Sequence, residues 1–162
     1  MGSSLRPAFG LPILLLAAAF GVSPVSHADA TASGGQCSVM ISSPANGDSV
    51  IQSGAVSGQA SIPEDKYLWV FAHPKGFDGW WPQGGGAALI GEGSWQMTVF
   101  YGSRQDVGSS FEVVAMPVDG KVNDNLREWY ATANAKGDFT PIRLPHAASG
   151  CQAAKVTVRR TS

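Results

Sequence analysis

The stretch Tyr67-Leu68-Trp69-Val70-Phe71-Ala72 is apolar along its whole length. In an extended backbone successive side chains point to opposite faces, so both faces of this segment would avoid water. Such a run is typical of a strand at the centre of a sheet, covered on both sides. Phe111-Glu112-Val113-Val114-Ala115-Met116 is a second nearly continuous run. The two segments predict two buried strands.

Shorter strand patterns surround these two runs. Residues 56–62, 94–101 and 155–159 each alternate between apolar or small residues and polar ones, which is typical of half-buried strands. Turn residues separate them, notably Ser43–Asp48 with its Asn-Gly pair and the Pro-led segment 63–66. The chain also holds 20 Gly and 10 Pro, and only 14% of its residues are charged, against about 25% in ordinary domains. These features predict one all-β domain, a sandwich of about seven strands.

One helix is predicted between the last two strands. Asn125, with Glu128 three residues later, forms a capping-box pattern, although Asp124 is an alternative cap. Gly137 is placed to end the helix. The apolar residues fall at i, i+3, i+4 and i+7, on one helical face: Leu126, Trp129, Tyr130 and Ala133. We expect this short helix to cover one end or edge of the sandwich.

The first residues have the pattern of a signal peptide. Arg6 precedes a short apolar run over residues 11–20, and small residues follow around Ala28. A membrane anchor is the alternative, but the run is shorter than the roughly 20 residues that a span needs, and Pro12 interrupts it. We therefore predict a signal peptide at 1–28, a flexible mature N-terminus at 29–36 and a β-sandwich domain at 37–162. The protein would be exported to a periplasm or the cell exterior, with no membrane span after cleavage.

The two cysteines are predicted to form a disulfide. Exported chains commonly oxidise their cysteines in pairs. Cys37 directly precedes the first strand pattern and Cys151 precedes the last one. If these two strands are neighbours and run parallel, their starts share one end of the domain and a bridge between them is short enough to form. The alternative, a redox-active pair, lacks the C-x-x-C spacing.

A family resemblance runs through most of residues 38–160. The segments that carry it are Ile41-Ser42-Ser43-Pro44 with Gly47, Val56-Ser57-Gly58, Leu68-Trp69-Val70 with Pro74, Trp81-Pro82-Gln83, Gly93-Ser94-Trp95 and Phe111-Glu112-Val113. In this order they resemble the immunoglobulin-like or fibronectin-like β-sandwich accessory domains of bacterial exported proteins. The resemblance implies an immunoglobulin-like antiparallel sandwich that serves as a spacer, adhesive or glycan-binding module, with no shared catalytic set. The Cys…Trp…Cys pattern of antibody domains is missing, although Trp69 could fill the place of their core tryptophan.

The most distinctive functional segment is residues 73–86, where aromatic residues lie among Gly and Pro. This segment connects two predicted strands, so it should face solvent. Exposed aromatic rings can stack on sugars or anchor a partner protein. The candidate ligand-binding residues are Phe77, Asp78, Trp80, Trp81 and Gln83. They predict a non-catalytic recognition module for a cell-envelope glycan or a protein partner.

A structural envelope protein with no ligand is the alternative to this recognition module. In that case the loop over residues 73–86 would only pack against the sandwich, with either Trp80 or Trp81 turned inward. Strand alternation predicts that either Trp80 or Trp81 is buried and the other exposed.

Other functional classes find less support in the sequence. Eleven Lys+Arg balance twelve Asp+Glu with no basic block, which argues against nucleic acid as a partner. A copper site would need cleavage before His27 and ligands from His73 or His146, which lack a ligand spacing. Asp119, Asn123 and Asp124 lack the spacing of a calcium loop. No cofactor or metal is therefore expected.

A hydrolytic enzyme is the remaining alternative. Ser94 does not lie in a G-x-S-x-G motif and is predicted to begin a strand. Glu92 and Glu112 are candidates for a carboxylate pair, but nothing in the sequence brings them together. Glu112 alternates with Phe111 and Val113, so we expect it on a solvated face.

Overall fold

The computed structural model describes residues 37–162, which form a mostly β domain with one long helix. The strands in chain order are β1 (Ser38–Ser43), β2 (Ser49–Val50), β3 (Ser53–Ser61), β4 (Lys66–Pro74), β5 (Trp81–Pro82), β6 (Ile90–Gly91), β7 (Ser94–Phe100), β8 (Ser110–Asp119) and β9 (Ala154–Arg160). A single 3₁₀ turn at Arg104–Asp106 precedes β8, and helix α1 (Gly120–Lys136) follows it. The predicted signal peptide, the segment 29–36 and His27 lie outside the described residues.

The strands form two sheets. One has the order β1-β3-β7-β6 and the other the order β2-β9-β8-β4-β5. All strand pairings are antiparallel except that of β2 with β9, which is parallel. The two strands predicted to be buried, β4 and β8, are neighbours and pair from Lys66 opposite Asp119 to Pro74 opposite Phe111. The predicted all-β class with one helix is confirmed.

Strand β4 is apolar throughout because each of its faces meets a different layer. Leu68 and Val70 face the other sheet and share a core with Trp95 and Val99 of β7. The intervening Trp69 packs on the opposite face, in a second core that includes Leu126 of α1. All of these side chains are buried. The β4 sequence therefore specifies a three-layer arrangement of sheet, sheet and helix.

Helix α1 is longer than predicted. It begins at Gly120, directly after β8, so both predicted caps, Asn125 and its alternative Asp124, were wrong. The cap position is Asp119, whose side chain makes no capping hydrogen bond and instead pairs with Lys66 Nζ at 2.8 Å. The predicted end at Gly137 is confirmed: its φ is 67° and its N–H donates to the carbonyl of Ala133. The predicted apolar stripe also faces the protein.

The predicted disulfide is confirmed. Cys37 and Cys151 are bonded, their Cα atoms are 4.8 Å apart, and they form an isolated parallel bridge. The first strand pattern pairs with β3, and it is the next strand, β2, that runs parallel to β9. A disulfide indicates a non-reducing environment. Among the helices of residues 37–162, none is long and apolar enough to cross a membrane.

Candidate ligand-binding site

An aromatic cleft opens where the ends of β4 and β7, strand β5 and the C-terminal part of α1 meet. Its volume is about 930 Å³. Seven of its lining residues are aromatic: Phe77, Trp81, Phe100, Phe111, Trp129, Tyr130 and Phe139. We use the name aromatic cleft for the hollow bounded by these seven side chains. It contains the largest group of exposed aromatic rings in the described part of the chain.

The loop between β4 and β5 forms one wall of the cleft. Trp81 is held in place by its pairing with Ala72 of β4, and its ring stacks on Phe77 with 5.4 Å between centroids and 15° between planes. Gly79 lets this loop lie against Pro141, because a Cβ atom at Gly79 would come within 2.6 Å of the Pro141 Cβ. Phe77 remains 48% exposed. The ring of Phe77 is therefore presented to solvent above a fixed Trp81.

The helix and the segment after it form the opposite wall. The Trp129 ring lies edge-on to Tyr130 at 4.9 Å and to Phe139 at 6.0 Å. Its Nε1 donates to the carbonyl of Thr140 at 3.1 Å. The two walls are joined directly, since Trp81 Nε1 donates to the Phe139 carbonyl at 2.7 Å. The rings are thus held by hydrogen bonds at their polar edges.

Buried polar side chains support the cleft from below. Gln83 is only 6% exposed, and both ends of its amide are used: Nε2 donates to the Trp81 carbonyl at 2.9 Å, and Oε1 accepts from the Phe100 N–H at 2.9 Å. The Tyr130 hydroxyl donates to the Pro82 carbonyl at 2.6 Å. Burial raises the pKa of this phenol. These bonds tie β5 to β7 and to the helix, which fixes the shape of the cleft.

Behind Trp81, its neighbour Trp80 belongs to a separate cluster. The Trp80 ring stacks on His73 with centroids 3.6 Å apart. His73 Nε2 lies 3.0 Å from Glu112 Oε2, and Lys155 Nζ donates to Glu112 Oε1 at 2.9 Å. The hydrogen bonds from His73 and from Lys155 lower the pKa of the Glu112 carboxyl. The expectation that Glu112 is simply solvated was wrong, because these neighbours cover and pair it.

The five candidate residues taken from the sequence are divided between these environments. Phe77 and Trp81 line the aromatic cleft, and Gln83 borders it with its amide already engaged. Asp78 is exposed and is not part of the lining. Trp80 stacks on His73. The expected contrast of one buried and one exposed tryptophan is absent, since Trp80 and Trp81 are both half-buried.

The residues that complete the cleft were not among the predicted site residues. Phe100, Phe111 and Phe139 are far from the loop in sequence, and Trp129 and Tyr130 were assigned only to the helix stripe. No sequence signal marked these two rings as part of a site, because positions i+3 and i+4 lie on one helical face and both rings fit the predicted apolar stripe.

The residues considered for metal binding or hydrolysis lie in different parts of the fold and do not form one site. Glu92 lies in the turn between β6 and β7, whereas Glu112 lies on β8 of the other sheet. Asn123 is buried and its Oδ1 accepts a hydrogen bond from Trp69 Nε1 at 3.1 Å. His146 is exposed in the connection before β9. Across residues 37–162, no group of three or more His, Cys, Asp or Glu is placed to hold a metal ion.

The comparisons with known proteins give no family for this chain. It matches no protein-family model and no curated protein.

Proposed function

We propose that residues 37–162 form an immunoglobulin-like, non-catalytic recognition module that binds its ligand in the aromatic cleft. We propose further that it works in a periplasm or outside the cell, with a cell-envelope glycan or a protein as the source of the ligand. The strand order supports the immunoglobulin-like assignment. Strand β1 pairs with β3 in one sheet, while β2 runs parallel to the last strand, β9, in the other, and parallel pairing of strands from the two ends of the chain is common in immunoglobulin-type sandwiches.

The observation that carries the proposal is the concentration of rings around one hollow. Ligand sites are typically concave, lined mainly by apolar and aromatic side chains, and about 300–1,000 Å³ in volume. The cleft has this lining and a volume of about 930 Å³. Phe77, Phe100 and Phe139 at its rim are between 44% and 60% exposed. Such clustered exposed rings are typical of a binding surface.

The polar groups of the cleft support recognition in preference to catalysis. The side chains of Gln83, Trp81 and Tyr130 are hydrogen-bonded to backbone groups of the protein itself, so these bonds do not serve a ligand. A catalytic site needs a nucleophile or an acid–base pair aimed at the reacting atoms. His73 and Asp106 also line the cleft, but they are hydrogen-bonded to Glu112 and Ser103 respectively, and no Ser, Cys or Lys is among the lining residues. Seven of the side chains that line the cleft are aromatic rings, which are suited to holding a ligand by contact.

Binding to cell-envelope material tests the proposal. Purified protein is titrated against a glycan panel and a solubilised envelope fraction, with tryptophan fluorescence as the readout. Phe77→Ala removes an exposed ring that makes no side-chain hydrogen bond, so we expect normal folding and at least tenfold weaker binding. Tyr67→Ala is the matched control, because Tyr67 is 40% exposed and lies outside the cleft lining.

Two results would contradict the proposal. Equal binding by Phe77→Ala and the wild type would mean that the ligand does not bind in the aromatic cleft. If neither the glycans nor the envelope fraction altered the fluorescence, a structural envelope protein without a ligand would be favoured. Circular dichroism of each variant confirms that any lost binding does not come from unfolding.

A further inference from the structure

We infer that the aromatic cleft binds a mainly apolar small molecule that carries an aromatic ring and no negative charge. This inference rests on the proposed recognition role of the cleft, and it replaces the glycan or protein ligand with a small molecule as the class that the lining favours. It follows from three properties of the lining: the state of its hydrogen-bonding side chains, the state of its charges and its size.

Most hydrogen-bonding side chains of the cleft are already occupied. Trp81 and Trp129 each donate their indole N–H to a backbone carbonyl, Tyr130 donates its hydroxyl to another, and Gln83 uses both ends of its amide. Within the described chain, apart from one oxygen of the Asp106 carboxylate, two lining groups make no hydrogen bond: the exposed hydroxyl of Thr98 and the buried Nδ1 atom of His73. A sugar needs partners for several hydroxyl groups. Each hydroxyl turned unpaired against these walls would lose about 1–3 kcal/mol.

The charged lining of the cleft consists of one carboxylate, that of Asp106. Asp106 Oδ2 accepts from the Ser103 N–H at 2.6 Å and from its hydroxyl at 3.0 Å. His73 Nε2 is hydrogen-bonded to Glu112, and no Lys or Arg is among the lining residues. Among residues 37–162, the Asp106 carboxylate has no Lys or Arg partner, and the structure gives its Oδ1 atom no hydrogen bond. An anionic ligand would therefore find no cation and would be repelled by Asp106. Because transferring an unpaired charge from water to an apolar site is costly, the lining disfavours an anionic ligand.

The size and shape of the cleft favour a ring-containing small molecule. A volume of about 930 Å³ is much larger than one amino-acid side chain needs and lies within the range of small-molecule sites. The parallel stack of Phe77 on Trp81 leaves flat apolar faces along one wall. Stacking of a planar ligand on such faces adds about 0.5–1.5 kcal/mol to the effect of burial. A planar ring therefore gains more binding free energy from these flat faces than a branched or polar group does.

Isothermal titration calorimetry with two related probes tests the inference. The probes share a naphthalene ring and differ in charge: neutral 2-naphthol and anionic 2-naphthoate. At pH 7 we expect a Kd for 2-naphthol at least tenfold lower than for 2-naphthoate, with a negative heat-capacity change that marks apolar burial. In Phe77→Ala the Kd of 2-naphthol should rise at least fivefold. In Tyr67→Ala it should stay within twofold of the wild type.

The possible results separate this inference from the proposed function. Equal or tighter binding of 2-naphthoate would overturn it. Chitotetraose serves as the glycan probe: if it bound with a dependence on Phe77 while 2-naphthol did not bind, the ligand class would be wrong and the recognition function would stand. If neither probe bound, the inference would again be wrong. The effect of Phe77→Ala on binding of the envelope fraction would then decide the proposed function independently.

Discussion

Glu112 shows how one side chain on the outer face of a strand becomes part of the fold. Both of its carboxylate oxygens are bonded, Oε2 with His73 Nε2 and Oε1 with Lys155 Nζ, and the side chain is only 16% exposed. These partners stabilise the ionised form and lower the pKa below its usual value of 4.5. Because the folded state holds the proton less tightly than the unfolded chain, the paired carboxylate stabilises the fold at pH values above 4.5. This stabilisation is lost as the pH falls through the lower, folded-state pKa.

Replacing Glu112 by glutamine should therefore change how stability depends on pH. At pH 7 we expect the free energy of unfolding of Glu112→Gln to be lower by about 1–2 kcal/mol, since charge-assisted hydrogen bonds are lost. Between pH 5 and pH 3 the variant should lose less stability than the wild type, so the two curves converge. Urea unfolding at a series of pH values measures both effects. The control is Glu64→Gln, which alters an exposed carboxylate, and parallel curves for Glu112→Gln and the wild type would contradict the argument.

At the scale of elements, helix α1 is fastened to the sheet by a polar contact inside an apolar layer. Trp69 Nε1 donates to Asn123 Oδ1 at 3.1 Å, and the two residues are 0% and 3% exposed. Neither group can turn to water if the other is removed. A buried donor left without an acceptor costs about 1–3 kcal/mol, so this bond sets the position of the helix on β4 as well as contributing to its stability.

Asn123→Ala should destabilise the domain by about 1–3 kcal/mol, because the indole N–H of Trp69 is then buried without an acceptor. The urea midpoint should fall with an unchanged slope. Asn125→Ala, a change of the same size on the exposed side of the same helix, should shift the free energy of unfolding by no more than about 0.5 kcal/mol. Equal effects of the two substitutions would show that the buried bond does not hold the helix.

The elements that could be predicted from the sequence are those with enough residues to show a period. The long strands β3, β4, β7 and β8 and the stripe of α1 have such patterns. Strands β2, β5 and β6 contain two residues each, which is too short for alternation, and they pair only because longer strands are already in place. The start of α1 was misplaced because Asn125 and Glu128 imitate a capping box, whereas the helix continues directly from β8.

The candidate site could be predicted only in part for a related reason. Phe77 and Trp81 are close in sequence, and their setting among Gly and Pro marked the loop as functional. Phe100 and Phe139 reach the cleft from other elements, so only the tertiary fold brings them together. The engagement of Gln83 likewise depends on the approach of β7 to β5. Sequence patterns record local periodicity, whereas this cleft is assembled from distant segments.

At the scale of the whole molecule, the disulfide closes the chain around all of these elements. Cys37 and Cys151 are 114 residues apart, and the loop between them contains eight of the nine strands of the described chain together with the helix. A cross-link acts mainly by restricting the unfolded chain, and the restriction grows with loop length. For a loop of this length the chain-entropy model gives about 4–5 kcal/mol, an upper value because real unfolded chains keep some structure.

The double substitution Cys37→Ala with Cys151→Ala should accordingly lower the free energy of unfolding by up to about 4 kcal/mol, a large share of the stability of a domain of this size. Urea unfolding with and without dithiothreitol provides the internal control. Reductant should bring the wild type to the stability of the double variant and leave the variant unchanged. The folded wild type should contain no titratable thiol, as both sulfurs are bonded. A double variant as stable as the oxidised wild type would mean that the two sheets and the helix hold the chain ends together without the covalent bond.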